Sequence, residues 1–524
     1  MKNESNRTKA ASLNAVTILV TQILSLLLRF GVQTAFIHEL SQNYLGLNGL
    51  FSNIISFLSF ADLGIGTAIT VALYEPIADR NIKKLRVLIN FYRKTYLIII
   101  LVVFIIGLGI SPWIYLFIKK PVFSNFQLTS WFLLYLLSTL ATYFSANKRS
   151  FLMATQQGYL NSLNDFVFKA VQQTLQILVL VFFHSFLWFL ILQVGVAILG
   201  NWQISKVADS RYPNVFLKNN LIWKNHLDSV TMKSIKHNVV GAISSKVGSI
   251  IVFGTDNLIL STFVGLMAVA KYSNYMLIVQ SISSVFSQVM GSIVGSIGNL
   301  HVTAPKERQK AVLYQLLYMN MLINLFVSVG LSFAINGFIS VWAGNDYLLS
   351  TNITIGIVLN YSITQSRYAA QCFISGMGLY WSLRWKSLIE AAINLFLSLF
   401  FVQVLNFGIM GVILGTLGSN ILVNIIWEPY IVFYDGGLGS PKMYLFKYTC
   451  YEIYIIVVIV VLSIISPLMI HAGLVKLFFY TVIVEIVSIT IFMLLTLGLP
   501  EFHYFFNVCQ NFYCKVKSKL LRKI

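Results

Sequence analysis

Charge is what this chain has least of. Only 10% of its 524 residues are Asp, Glu, Lys or Arg, where a soluble domain carries about 25%. With 57% hydrophobic residues, that scarcity excludes a water-soluble globular protein. Acidic residues are rarest, 17 against 37 Lys and Arg, which leaves a formal net charge of +20. In a chain this apolar, a basic surplus reads as cytoplasmic loops facing anionic lipid headgroups, and nucleic acid is not an expected partner. Cysteine is nearly absent. Cys372, Cys450, Cys509 and Cys514 show no CxxC and no metal-ligand spacing, so neither a disulfide framework nor a metal site is expected. Also missing are a GxxxxGKS/T phosphate loop, HExxH and GxSxG, and the seven His are scattered. No catalytic residue, metal or cofactor is expected. Any driving energy must come from an ion gradient, the membrane potential or downhill consumption of substrate.

Long apolar runs are what the chain has in abundance. A bilayer crossing needs about 20 mainly apolar residues, and about 14 segments qualify. They lie near 13–36, 46–73, 95–118, 126–147, 160–183, 186–204, 238–264, 267–299, 313–342, 352–377, 384–405, 408–431, 448–470 and 473–498. The first is basic and then apolar like a signal peptide, but it lacks a small-residue cleavage site and reads as a retained helix. Of the 37 Lys and Arg, 29, Lys386 among them, fall in alternate connectors and five within spans, while the other connectors hold only Lys119, Lys120 and Lys476. That alternation predicts an all-α, multi-pass protein with both termini cytoplasmic.

The longest connector, 206–237, separates a six-helix lobe at 1–205 from a second at 238–431. An extra helix pair spans 448–498, and a basic cytoplasmic tail covers 499–524. The lobes begin alike. RFGVQTAFI (29–37) resembles VFGTDNLIL (252–260), and LGL (45–47) resembles VGL (264–266), as in duplicated transporter halves.

A charge at mid-membrane costs roughly 2.5–3.5 kcal/mol, so it normally faces a partner or water. The cations inside candidate spans are Arg29, Lys169, Lys246, Lys271 and Arg367; the carboxylates are Asp62, Asp165, Asp256, Glu390 and Glu485. Arg29 shares a helix face with Gln22, Ser25 and Gln33, and Arg367 shares one with Asn360, Thr364 and Gln371. These stripes, from both lobes, suggest a hydrated cavity lined by cations, which suits an anionic substrate. Arg suits phosphate because its fork binds two oxygens. Arg29 and Arg367 are the leading phosphate candidates, with Lys246 and Lys271 as helpers. Asp62, Asp256, Asp165 and Lys169 are coupling or counter-charge candidates. Asp165 and Lys169 stand i,i+4 and can neutralise each other. Asp256 can pair with Lys246, and Asp62 is either a partner for Arg29 or a proton or ion site. Gly408, Gly411, Gly415 and Gly418 form one small face, and Gly291 with Gly295 forms a GxxxG, both suited to close helix packing.

The stretch YLGLNGLFSNIISFLSFADLGIGTAITVALYEPIADRNIKKLRVLINFYRKTY (44–96), with Asn14 and Arg29 upstream, resembles the second span and first cytoplasmic loop of polysaccharide flippases. These belong to the multidrug/oligosaccharidyl-lipid/polysaccharide (MOP) exporter superfamily, and the likeness is to versions from Gram-positive capsule and exopolysaccharide clusters. The resemblance implies a MOP/MATE-like fold of two six-helix lobes plus two C-terminal helices. It implies a cell-membrane flippase that carries undecaprenyl-pyrophosphate-linked oligosaccharide units from the inner to the outer leaflet by alternating access. The implied partners are the polyprenyl-linked substrate, the bilayer, and a polysaccharide polymerase with other assembly proteins. In such lipid flippases cavity cations hold the headgroup, and Arg29 matches that pattern by position. An ion-coupled multidrug or organic-cation exporter of the same fold is the alternative, although its cavity would call for carboxylates. A membrane polymerase or ligase would need a large extracytoplasmic loop, and the outside loops here are short.

Overall fold

Inside a bilayer a segment must satisfy its own backbone hydrogen bonds, which leaves helices for a chain of apolar runs. A computed structural model describes residues 2–59, 72–74, 76–77, 79–155, 157–216, 254–291, 293–469, 473–508 and 510, with side chains from residue 20 on, save 289, 468 and 469. Among these residues all regular structure is helical. Among the described residues nine helices are long and apolar enough to cross a membrane, or ten if a pair bent by 41° at Tyr143–Ala146 is one span. These ten match ten of the predicted spans. Of the other four, the second lacks described residues at 60–71, and the seventh falls largely outside the described residues. The eighth is diluted by Lys271, Asn274, Ser281 and Gln288. The tenth is broken at Arg367.

The chain divides into two compact units, Met1–Ala270 and Lys271–Ile524. The predicted connector at 206–237 lies mostly outside the described residues. In the first unit the helices are α1 (Lys2–Glu39), α2 (Gln42–Leu58), α3 (Ile82–Ile110), α4 (Asn125–Tyr143), α5 (Ala146–Ala154), α6 (Gly158–Phe183) and α7 (Phe186–Arg211). Local sequence sets several of their ends. Asn81 caps α3 by accepting from the Lys84 amide, and Ser124 with Gln127 forms a capping box on α4. His184 stops α6 in the left-handed conformation, φ 47°. α1 and α7 both pack along α6, and α4 packs along α7. The matched LGL and VGL motifs meet: a Cβ on Gly46 would stand 2.1 Å from the Leu266 carbonyl oxygen, so only glycine permits that approach.

The second unit continues α8 (Leu266–Gly291) and adds α9 (Val294–Thr303), α10 (Lys306–Trp342), α11 (Thr351–Ser366), α12 (Tyr368–Met377), α13 (Arg384–Leu399), α14 (Ile409–Ser419), α15 (Ile425–Tyr430), α16 (Lys442–Ile465) and α17 (Leu474–Leu495). α10 is its post, packed against α11, α16 and α17. One face of α10 carries Asn320, Asn324, Ser328, Ser332 and Asn336, all at most 4% exposed. Their spacing of four keeps them on one stripe. Asn320 donates to the Gln365 and Ser366 carbonyls at 3.1 and 2.8 Å. Those carbonyls sit where α11 breaks into α12, so the amide satisfies backbone groups at the joint.

Of the predicted glycine face, Gly411, Gly415 and Gly418 pack closely, whereas Gly408, at φ 57° before the helix, has nothing within 4 Å among the described residues. A Cβ on Gly415 would stand 2.1 Å from Ser398 Oγ and 2.7 Å from Ser398 N, and one on Gly418 2.7 Å from Leu397. The GxxxG of Gly291 and Gly295 differs, because neither position has a neighbour within 4 Å. Gly415→Ala is therefore expected to lower stability by about 1–3 kcal/mol through overpacking, and Gly295→Ala to leave it unchanged. Thermal unfolding of the two purified variants against wild type checks this.

Candidate functional site

A carboxylate moved into hydrocarbon needs cations and donors on every lone pair. Glu428, 2% exposed, has them. Arg367 engages it with both arms of its fork, Nε to Oε2 at 3.0 Å and Nη2 to Oε1 at 2.5 Å. Lys386 Nζ adds a third contact at 2.9 Å to Oε1, and Gln371 a weak one at 3.4 Å. Lys386 also bridges to Glu390 at 3.0 Å, which accepts from Asn424 Nδ2 at 2.6 Å. The result is a quartet of two cations and two carboxylates with no net charge. Asn420 ties it together. It accepts from Arg367 and Asn424 and donates to Asn360 and Thr364 at 3.2 and 3.4 Å.

Each member is delivered by a local feature. Arg367 sits at the break between α11 and α12, which aims its side chain away from the line of either helix. Lys386 and Glu390 are one turn apart on α13, and the glycine face of α14 brings that helix close. Asn420, Asn424 and Glu428 fall at i, i+4 and i+8 across a π-helical turn, Asn420–Asn424, that runs into α15.

The first unit holds a different arrangement. Arg29 is exposed on α1. Tyr135 of α4 lies within electrostatic reach of it, and the Tyr135 hydroxyl is in turn within hydrogen-bond reach of Ser52 of α2 and Gln193 of α7. Gln193 also donates to Ser138 at 3.0 Å. Among the described residues Arg29 forms no ion pair. Gln22, Ser25 and Gln33 flank it, each half-buried.

Several sequence expectations change. Arg367 is not an open phosphate ligand, because Glu428 occupies its fork and leaves it 8% exposed. Asn360, Thr364 and Gln371 serve the same quartet through Asn420 and Glu428. Lys386 is not a loop charge but a buried cation, 5% exposed. Asp165 pairs with Arg149 at 2.7 Å, not with Lys169. The Arg149 fork also takes the amide oxygens of Asn164 and Asn201 at 3.2 and 3.1 Å, an array that a single ammonium cannot match. Lys169 is exposed and Lys271 half-buried, each without an ion pair among the described residues. Asp256 is buried at 8%. Asp62 and Lys246 lie outside the described residues. Glu428 was missed, although the Asn420, Asn424, Glu428 spacing is legible in the sequence; so is the i,i+4 pair Lys386 and Glu390.

Removing one member strands the others. Glu428→Gln leaves Arg367 and Lys386 short of their shared carboxylate and is expected to destabilise by about 3–5 kcal/mol. Glu390→Gln should cost less, since Lys386 keeps Glu428. Folded yield and unfolding temperature in detergent rank the two variants.

Three solved structures share this architecture. Lipid II flippase MurJ in an inward closed conformation superposes with a TM-score of 0.62 at 15% identity, covering 91% of this chain and 98% of that one. An inward-facing multidrug resistance MATE family transporter of the MOP superfamily gives 0.60 at 14%, covering 83% and 99%. The Vibrio cholerae MATE transporter VcmN in the bent form gives 0.50 at 15%, covering 84% and 99%. No protein-family model and no curated protein matches the chain. At these identities the likeness is one of fold: the chain has the all-α, multi-pass architecture of MOP superfamily transporters.

Proposed function

We propose that this protein is a flippase for a polyprenyl-pyrophosphate-linked oligosaccharide, moving it from the inner to the outer leaflet of the cell membrane by alternating access between two lobes. Cell-surface polysaccharide, of capsule or exopolysaccharide type, is the proposed end product. A polymerase that consumes the flipped unit is the proposed partner, and both termini are proposed to be cytoplasmic. The observation that carries this reading is Arg29, an exposed arginine on an otherwise half-buried polar stripe of a membrane helix, with no ion pair among the described residues. Such a cation is unfavourable in a membrane unless water or an anion meets it, and a guanidinium fits two phosphate oxygens. Tyr135, Ser52 and Gln193 beside it supply hydroxyl and amide groups suited to further headgroup oxygens. The extent of the MurJ match, 91% of this chain against 83% for the first MATE transporter above, supports a lipid-linked substrate.

A MATE-type exporter of organic cations is the second reading. It is favoured by the nearly equal TM-score of that match, 0.60, and by the neutral quartet, which removes Arg367 and Lys386 from the tally of available cations.

Export in a deletion strain separates them. Losing a charge-assisted contact of about 1.5–3 kcal/mol should reduce surface polymer about 10-fold or more in Arg29→Ala at normal protein level, with Arg29→Lys partly active. Full polymer from Arg29→Ala would overturn the headgroup role of Arg29. Increased resistance to cationic dyes on overexpression, with polymer unaffected by deletion, would favour the exporter.

A further inference from the structure

The extra helix pair carries a buried carboxyl that the quartet does not use. Glu452 of α16 is 5% exposed. Its Oε1 accepts from Ser362 Oγ of α11 at 2.7 Å. Ser362 Oγ in turn accepts from Asn324 Nδ2 of α10 at 3.0 Å. The hydroxyl proton of Ser362 is thus committed to Oε1. Glu452 Oε2 is buried and has no hydrogen-bond partner.

The buried Glu428 and Glu501, and the half-buried Glu390, are treated differently. Glu428 and Glu390 share Lys386, and Glu501, 5% exposed, holds Lys447. Among the described residues no Lys, Arg or His pairs with Glu452. The groups facing it are Ser362 and Ser366 of α11, Asn324 of α10, and Tyr448 one turn back on α16. The Tyr448 hydroxyl shares a 2.6 Å hydrogen bond with Ser366 Oγ. It also lies within electrostatic reach of both Glu452 and Arg367. Lys447, five residues back on α16, is held by Glu501, and Arg367, next to Ser366, is held by Glu428.

An ionised carboxylate with one donor and no cation is costly at this depth, and such groups neutralise by taking up a proton. We propose that Glu452 is a proton-binding site, with Oε2 protonated in the resting protein, and that loss of this proton to water loosens the Arg367–Glu428 pair. The new negative charge would stand across the Ser366–Tyr448 hydrogen bond from Arg367 and compete with Glu428 for its guanidinium. The terminal helix pair would then report protonation to the break between α11 and α12. This inference holds whatever the protein transports, so its test does not rely on a substrate.

The test is infrared difference spectroscopy of the full chain in lipid nanodiscs, titrated with pH. The expected result is a carbonyl band of a buried, protonated carboxyl that disappears as pH rises and is missing from Glu452→Gln. Glu428→Asp, with a shorter reach to Arg367, is expected to move the band's midpoint to lower pH, because a freer guanidinium stabilises the Glu452 carboxylate. Identical spectra for wild type and Glu452→Gln would overturn the proton site. A band lost on adding sodium at fixed pH, rather than on raising pH, would overturn it in favour of a metal cation. An unmoved midpoint in folded Glu428→Asp would overturn the link to Arg367. Should Glu452→Gln fail to fold, Glu452→Asp decides the first point: a titrating carboxyl band displaced from its wild-type position supports the site, and an unchanged band overturns it.

Discussion

One carboxylate organises the second unit. Glu428 takes both arms of Arg367 and the ammonium of Lys386, all three side chains being at most 8% exposed. None of the three is stable there alone, since an unpaired ion in low dielectric is strongly disfavoured. Their mutual dependence constrains the fold around them. α11 must break at Arg367 so that the guanidinium reaches Glu428. Asn320 must then satisfy the carbonyls freed at the break. α13 must approach α14 closely enough for Lys386 to reach across, and Gly411, Gly415 and Gly418 provide that approach. A buried ionic group of this kind adds little net stability over apolar packing. What it contributes is a discrete arrangement with few alternatives.

The arginines singled out in the two units differ in their partners. In the second, Arg367 and Lys386 are matched by Glu428 and Glu390, leaving a neutral and closed network. In the first, Arg29 is exposed beside Tyr135 and has no anion among the described residues. A cavity lined by cations from both lobes, as composition suggests, is therefore replaced by an uneven distribution. Among the described residues Arg29 and Lys271 form no ion pair, whereas Arg367 is held by Glu428.

The terminal helices are part of the second unit's interior. α16 and α17 both pack along α10, and α16 also lies against α11. Tyr318 of α10 shares a hydrogen bond with Thr496 just past α17, and Lys447 of α16 holds Glu501 beyond it. Ser362 and Ser366 of α11 bond to Glu452 and Tyr448 of α16. The polar stripe of α10 thus connects the added pair to the helix break that carries Arg367.

The sequence by itself determined the solvent and the fold class. Low charge, long apolar runs and alternating basic connectors leave only a helical, multi-pass membrane protein, because the bilayer enforces that pattern on every segment separately. It also determined which side chains share a face, so the stripe of Asn360, Thr364, Arg367 and Gln371 and the glycine face of α14 were legible. Pairing was not. Asp165 has Lys169 one turn away yet binds Arg149 from another helix, and Lys386 reads as a loop cation although it is buried against Glu428 of α15. Ion pairing depends on distance across helices and on the water left between them, and neither is encoded in spacing along one helix. Only the tertiary structure decided that Arg367 is bound and Arg29 is not, and it did so through the position of Glu428, some sixty residues further along the chain.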